Sequence, residues 1–282
     1  SGADYPRFIY IFKIFALIVG LAIALLISKY KHGHIAYPTV ILSMFHPLLI
    51  LEWYINLHFD FLFAAVIFLL IYAKSQYIKI FALTLGFHIK YLIFLFLPVS
   101  SIKLNKIKYY IFFILCLIFT TFLYHSKGDF FAMINNTFVF GLDWEMNAGS
   151  FRLTRIFLSH LGLGLDAIKL SILFQLCFLL TFLILHHKAR KLTSNNFWRV
   201  IFVFIITSPV VNPWYLSWII PLVLVSSGRS NYVHIITLPI YFSYSFYFVS
   251  SFQYIFYLEH LLFYVFLFLL LRSDFKEIHQ EN

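Results

Sequence analysis

Apolar residues fill this chain in runs of about 20 that are separated by short polar links. One run of that length crosses a hydrocarbon layer of roughly 30 Å as a single α-helix. The pattern therefore predicts an all-α integral membrane protein, a polytopic helical bundle of about ten spans or half-spans. The predicted spans are residues 8–28, 36–51, 60–74, 79–98, 108–124, 165–186, 198–209, 214–226, 233–249 and 255–271.

The composition excludes an ordinary soluble domain. Hydrophobic residues make up 62% of the chain and charged residues 11%, whereas soluble domains carry about 25% charge. The net charge of +10 comes from short Lys and Arg clusters between the apolar runs, which is typical of cytoplasmic loops and not of a nucleic-acid-binding surface. Cys116 and Cys177 fall inside apolar runs, where we expect neither a disulfide nor a metal site.

We expect one transmembrane domain over residues 1–282, with a long outer loop at about 125–164. The chain starts with Ser1 directly before a span and has no signal-like leader, so we expect an N-terminal truncation. The basic clusters place the opposite, outer face at the N-terminus, the link 52–60, the long loop and the ends near Asn212 and Phe252.

Segment 79–98 breaks the alternation of the two faces. Basic clusters flank both of its ends, yet it holds enough helix for one crossing only. Either it is a re-entrant pair of half-helices that turns near residues 86–90, which we favour, or one cluster lies outside. In the hairpin Lys90 lies at membrane depth, where a cation is costly and usually marks a site. The alternative is that the Lys90 side chain snorkels to the interface.

The link after the second span concentrates titratable groups that are rare elsewhere in the chain. Glu52, His58 and Asp60 place two carboxylates and an imidazole at the mouths of adjacent spans. Burial near apolar walls suits such groups to acid/base or orienting roles. The alternative is that they solvate a tight outer turn.

The long outer loop supplies a second set of candidates. Arg152 and Arg155 alternate with apolar residues as in an interfacial helix, and the planar guanidinium suits phosphate. Contact with ordinary lipid headgroups explains them equally well. Upstream, Trp144 and Asn147 stand in a polar-aromatic stretch of the same loop.

The block from Asn212 to Pro221 contains Pro213, Trp214, Tyr215 and Trp218 inside an otherwise apolar run. Proline frees backbone carbonyls that hydrocarbon cannot satisfy, so the block predicts a pocket near one membrane face. Aromatic faces and amides suit a sugar, although Trp and Tyr also form interfacial belts.

The ordered set of motifs resembles the bacterial polyprenyl-phosphate-mannose-dependent mannosyltransferases of the GT-C superfamily. The resemblance covers most of the chain from about Tyr5 onward, and the Pro-Trp-Tyr block is its most specific part. The motifs are His46-Pro47, Glu52, His58-Phe59-Asp60, Lys90, Leu97-Pro98, Trp144-Glu145-Met146-Asn147, Ser208-Pro209, Asn212-Pro213-Trp214-Tyr215-Leu216-Ser217-Trp218-Ile219-Ile220-Pro221 and Leu258-Glu259-His260.

The resemblance implies transfer of a hexose, with mannose the family's sugar, from a polyprenyl phosphate to a glycan or glycolipid acceptor at the outer face of a bacterial plasma or inner membrane. In this family a carboxylate in the first outer loop activates the acceptor, and Asp4-Tyr5-Pro6 resembles the end of that loop. The resemblance therefore implies that an upstream span, the first outer loop and the main catalytic acid lie before Ser1, and that residues 1–282 are inactive or severely impaired as an enzyme. Phe59 stands where relatives often have Asn, which puts the acceptor chemistry in doubt.

The candidate roles follow from this hypothesis. Membrane lipids and the polyprenyl-phosphate sugar are the expected partners, with no nucleic acid; the chemistry admits a divalent metal without requiring one. A transporter or flippase of a polyprenyl-linked or small solute is the main alternative, and an assembly subunit is a third. The expected acid/base groups are Glu52, His58 and Asp60, the phosphate ligands are Lys90, Arg152 and Arg155, and further substrate contacts come from Trp144, Asn147, Asn212, Trp214 and Tyr215.

We further expect the 52–60 and 212–215 groups to converge on one outer-face cavity, because the topology puts both segments on the same side.

Overall fold

The computed structural model describes residues 4–56, 58, 60–103, 106–125, 149–163, 166–188, 197–210, 212–225 and 265. Throughout these residues the chain is helical and forms no strand. The helices are α1 (Asp4–His32), α2 (Tyr37–Met44), α3 (Pro47–Leu49, continued by a π-helix Ile50–Ile55), α4 (Asp60–Tyr72), α5 (Gln76–Ile89), a 3-10 helix (Tyr91–Phe96), α6 (Leu97–Ser100), α7 (Ile107–His125), α8 (Gly149–His160), α9 (Asp166–Lys188), α10 (Trp198–Thr207), a 3-10 helix (Pro213–Trp218) and α11 (Ile219–Val225).

Two described helices are long and apolar enough to cross a membrane. They are the segments Arg7–His32 of α1 and Asp166–Lys188, which is α9. They coincide with the spans predicted at 8–28 and 165–186. The bundle of about ten spans stays a prediction, and its last two runs, 233–249 and 255–271, lie outside the described residues apart from Val265.

The span predicted at 36–51 is a bent pair of helices that are together long and apolar enough for one span. Helix α2 ends at Met44, and the segment Pro47–Ile55 continues at an angle of 48°. The cause is Pro47, because the residue before a proline is driven out of the helical region. His46 is accordingly extended, with φ −62° and ψ 125°, and its imidazole accepts a hydrogen bond from the Leu48 amide.

Segment 76–103 is a closed hairpin, as predicted. Helix α5 runs to Ile89, Lys90 is extended with φ −156° and ψ 124°, and the chain returns through the 3-10 helix and α6. The outgoing arm is roughly 21 Å long and the return arm roughly 18 Å, from the rise of each helix type. The arms end together, since the Gln76 amide donates to the Ser101 carbonyl at 3.4 Å and accepts from the Lys103 amide at 3.0 Å.

The core is centred on α4, which packs against α1, α5 and the 3-10 helix Pro213–Trp218. Most of its side chains are buried, including Phe61 and Phe63. Helix α5 lies antiparallel to α4, and the hairpin arms approach so closely that a Cβ atom at Gly86 would come within 2.7 Å of Ile93 and 2.8 Å of Val66. Glycine at this position therefore permits the packing of the arms.

Helices α8, α9 and α10 form a second packed group. The Ser150 hydroxyl donates to the Ile206 carbonyl at 2.5 Å, and the Gln175 amide donates to the Thr154 hydroxyl at 3.0 Å. These polar contacts hold α8 against its neighbours. The helix predicted around Arg152 and Arg155 is thus present within the predicted outer loop.

Candidate functional site

Asp60, which is buried, and Lys90, which is partly buried, form an ion pair where two antiparallel helices meet. Asp60 is the first residue of α4 and Lys90 follows the last residue of α5, so the short link 73–75 brings both to the same end. The Lys90 Nζ atom lies 2.6 Å from Asp60 Oδ1. A carboxylate at a helix N-terminus and a cation at a helix C-terminus are each stabilised by the helix dipole.

Aromatic rings surround the Lys90 ammonium. Its Nζ atom lies 4.4 Å from the ring centroid of Trp218 and 4.6 Å from that of Tyr215, distances typical of cation–π contacts. The Trp218 indole N–H also donates to Asp60 Oδ1. We call Asp60, Lys90, Tyr215 and Trp218 the hairpin-tip cluster.

The 3-10 helix explains why both rings face Lys90. Residues three apart lie on one face of a 3-10 helix, and Tyr215 and Trp218 are stacked with centroids 4.7 Å apart. Trp218 was not among the predicted site residues. Its spacing of three from Tyr215 is the signal that would have revealed it, had a 3-10 helix been expected.

Glu52 and His58 form a second polar pair beside this cluster. Glu52 lies in the π-helix and is fully buried, and its Oε2 atom lies 3.5 Å from His58 Nε2. The imidazole stacks on the Trp214 ring with centroids 4.3 Å apart and an interplanar angle of 15°. The His58 side chain is 33% exposed, so it is the member of the pair that solvent reaches.

Electrostatics favour a neutral His58. Burial lowers the pKa of its imidazole, Asp60 opposes that shift, and Lys90 adds to it. A neutral imidazole presents one nitrogen as a proton acceptor. The Glu52–His58 pair can therefore take a proton from a group that reaches the exposed imidazole.

The structure brings together most of the predicted residues. His58 contacts Trp214. Asp60 contacts Lys90 and Trp218, which lies in the same 3-10 helix as Tyr215. Asn212 is 1% exposed, and its carbonyl accepts from the Tyr215 amide at 3.0 Å, so it precedes the same 3-10 helix. The segments around 52–60 and 212–218 thus converge, although about 150 residues separate them. That they enclose a sugar-sized cavity stays a prediction.

Other predicted residues are not in this group. Arg152 and Arg155 lie on α8, which packs against α9 and α10, and none of the contacts that define the hairpin-tip cluster comes from α8. Trp144 and Asn147 lie outside the described residues. Across the described part of the chain, no group of three or more His, Cys, Asp or Glu side chains is placed to hold a metal ion.

The fold and the site define a class, an α-helical protein with membrane-length apolar helices and a buried ion pair among aromatic rings. Comparison with protein-family models, curated proteins and solved structures found no match.

Proposed function

We propose that this protein is a membrane glycosyltransferase that moves a hexose, most simply mannose, from a polyprenyl phosphate to a lipid or glycan acceptor at the outer membrane face. The observation that carries the proposal is the hairpin-tip cluster, in which an ammonium and two aromatic faces lie at the turn of a buried hairpin. The cation suits the phosphate of the donor, and the aromatic faces and neighbouring amides suit its sugar.

Lys90 is the proposed ligand of the donor phosphate. The ammonium has three N–H donors, of which Asp60 takes one at 2.6 Å. The Lys90 side chain as a whole is 24% exposed, and its two remaining N–H donors are the ones that we assign to the phosphate. Positive charge at this place stabilises the departing phosphate as the glycosidic bond breaks. Arg152 and Arg155 remain candidates for headgroup contact on α8.

In place of the catalytic acid that the resemblance implies upstream of Ser1, we propose His58 as the proton acceptor within this chain, with Glu52 beside it. The acceptor hydroxyl gives its proton to the neutral imidazole, its oxygen bonds to the anomeric carbon, and the polyprenyl phosphate leaves with the bonding electrons. Burial raises the pKa of Glu52 to about 7, so above that pH its ionised form, 3.5 Å away, stabilises the imidazolium that forms. Asp60 fits this role less well, because Lys90 and Trp218 already occupy it, so we assign it to holding Lys90.

The proposal is tested with the purified chain in vesicles that contain polyprenyl-phosphate mannose with a labelled sugar and a membrane-lipid extract as acceptor. Label should appear covalently in a new lipid or glycan product. His58→Gln should reduce the rate by about 10²- to 10⁴-fold, and Lys74→Met is the matched control because Lys74 is an exposed lysine. A wild-type rate in His58→Gln would overturn its assigned role.

A transporter is the second candidate, and the buried Asp60–Lys90 pair is the observation that favours it. Ionisable pairs within helical bundles often line solute or proton pathways. In the same vesicles, labelled sugar or lipid would then change compartment without forming a covalent product. That outcome would overturn the transferase proposal.

A further inference from the structure

Lys79 is a buried lysine far from the proposed chemistry. It forms one of the predicted basic clusters together with Lys74, yet Lys79 is 4% exposed whereas Lys74 is exposed. Burial of an ammonium is costly unless hydrogen-bond partners replace its water. A positive charge in a cytoplasmic loop therefore does not explain why the Lys79 ammonium is buried.

The ammonium donates to three oxygens from two different segments. The acceptors are the Ile71 carbonyl at 3.1 Å, the Ser101 hydroxyl at 2.9 Å and the Ser100 carbonyl. Ile71 lies in the last turn of α4 and Ser100 is the last residue of α6. Carbonyls at helix C-termini lack intrahelical partners and attract cations, so one ammonium satisfies two helix ends.

The backbone at Ser101 adopts the conformation that this contact requires. Its φ is +54°, a left-handed value that is uncommon outside glycine. The turn directs the end of the return arm back to the first turn of α5. Lys79 thereby ties together α4, α5 and α6 at the base of the hairpin.

We propose that Lys79 is a positioning residue that closes the base of the hairpin and so sets Lys90 against Asp60 and Trp218 at its tip. Lys79 lies on α5, and Lys90 follows the last residue of that helix, eleven positions later. This separation is roughly 16 Å along the helix. The return arm is anchored at both ends of that distance. Loss of the Lys79 contacts leaves the two exposed Gln76 hydrogen bonds to join the arms at the base, which loosens the return arm and shifts the tip. The effect on transfer rests on the proposed function, whereas the structural effect does not.

Fluorine NMR of the full chain labelled with fluorotryptophan tests the proposal without any substrate. The chain has five tryptophans, and Trp218→Phe assigns the Trp218 signal, which reports on the contact with Lys90. In Lys79→Met this signal should move in the direction seen with Lys90→Met. Lys79→Arg, which keeps the charge and donors, should restore the wild-type position, and Lys74→Met should not change it.

A folded Lys79→Met with the wild-type Trp218 signal would overturn the proposal. If Lys79→Met does not fold, Ser101→Ala replaces it in the measurement, because this variant removes only one acceptor of the Lys79 ammonium. An unchanged Trp218 signal in Ser101→Ala would then overturn the proposal. In the transfer assay Lys79→Met should lose about 10²-fold in rate, as expected for a misplaced binding group. A Trp218 shift in a protein that transfers no sugar would refute the proposed function and leave the positioning role intact.

Discussion

Asp60 and Lys90 should be strongly coupled in folding, because each neutralises the other in a buried place. Lys90→Met leaves Asp60, a residue that is 3% exposed, with a hydrogen bond from the Trp218 indole N–H but without the cation that neutralises it. Breaking a buried pair in this way costs about 3–5 kcal/mol of the free energy of unfolding. Lys90→Met therefore disturbs folding as well as donor binding, and its loss of activity is ambiguous without a stability measurement.

Loss of the Asp60 charge should lower the free energy of unfolding by less than loss of the Lys90 charge. Asp60→Asn leaves an ammonium that still faces the rings of Tyr215 and Trp218 at 4.6 and 4.4 Å. Cation–π contacts of a desolvated cation contribute about 2 kcal/mol, so a loss of about 1–3 kcal/mol is expected. In the double variant no charge is buried, and the free energy of unfolding should return to within about 2 kcal/mol of the wild type.

The measurement is unfolding by SDS in mixed micelles, followed by tryptophan fluorescence, for the wild type, both single variants and the double variant. Coupling of at least about 2 kcal/mol is expected from these figures. Lys74→Met controls for loss of a lysine charge at an exposed position. If the two single losses simply add in the double variant, the ion pair does not stabilise the protein and the reasoning fails.

Three further predictions concern the hairpin and His58. Gly86→Ala places a methyl within 2.7 Å of Ile93 and should cost about 1–3 kcal/mol by the same unfolding measurement. Burial lowers the pKa of His58 in the folded protein below its unfolded value of about 6.5. The stability linked to the neutral imidazole is therefore complete above about pH 6.5 and is lost as the pH falls through the folded pKa. The acid limb of the transfer rate should also lie below about pH 6.5. Trp214→Ala exposes the stacked imidazole and should move that limb towards pH 6.5, whereas Trp214→Phe should not.

Each of these has a contrary outcome. An unfolding free energy unchanged by Gly86→Ala would mean that the hairpin arms are not closely packed. An acid limb above pH 6.5, or one that survives His58→Gln, would assign the titration to another group. Equal pH profiles for Trp214→Ala and the wild type would show that the stacked ring does not shield His58.

The long runs predicted their helices well, because helix formation over an apolar run is a local matter. Segment 8–28 lies within α1, and segment 165–186 coincides with α9 from Asp166 onward. The reversal near Lys90 followed from basic clusters at both ends of a run too short to cross twice. The break before Pro47 was predictable on the same local grounds, from the restriction that proline places on His46. Apolar continuity across 36–51 concealed it.

What the sequence determined by itself is the placement of apolar helices and the rare polar residues that interrupt them. Tertiary structure alone decided the partners of those polar residues. Lys79 bonds to oxygens up to 22 positions away, and Asp60 accepts from Trp218, 158 positions away. Hydrophobic period and charge describe what one segment needs, whereas a buried charge is satisfied by whichever segment packing brings beside it.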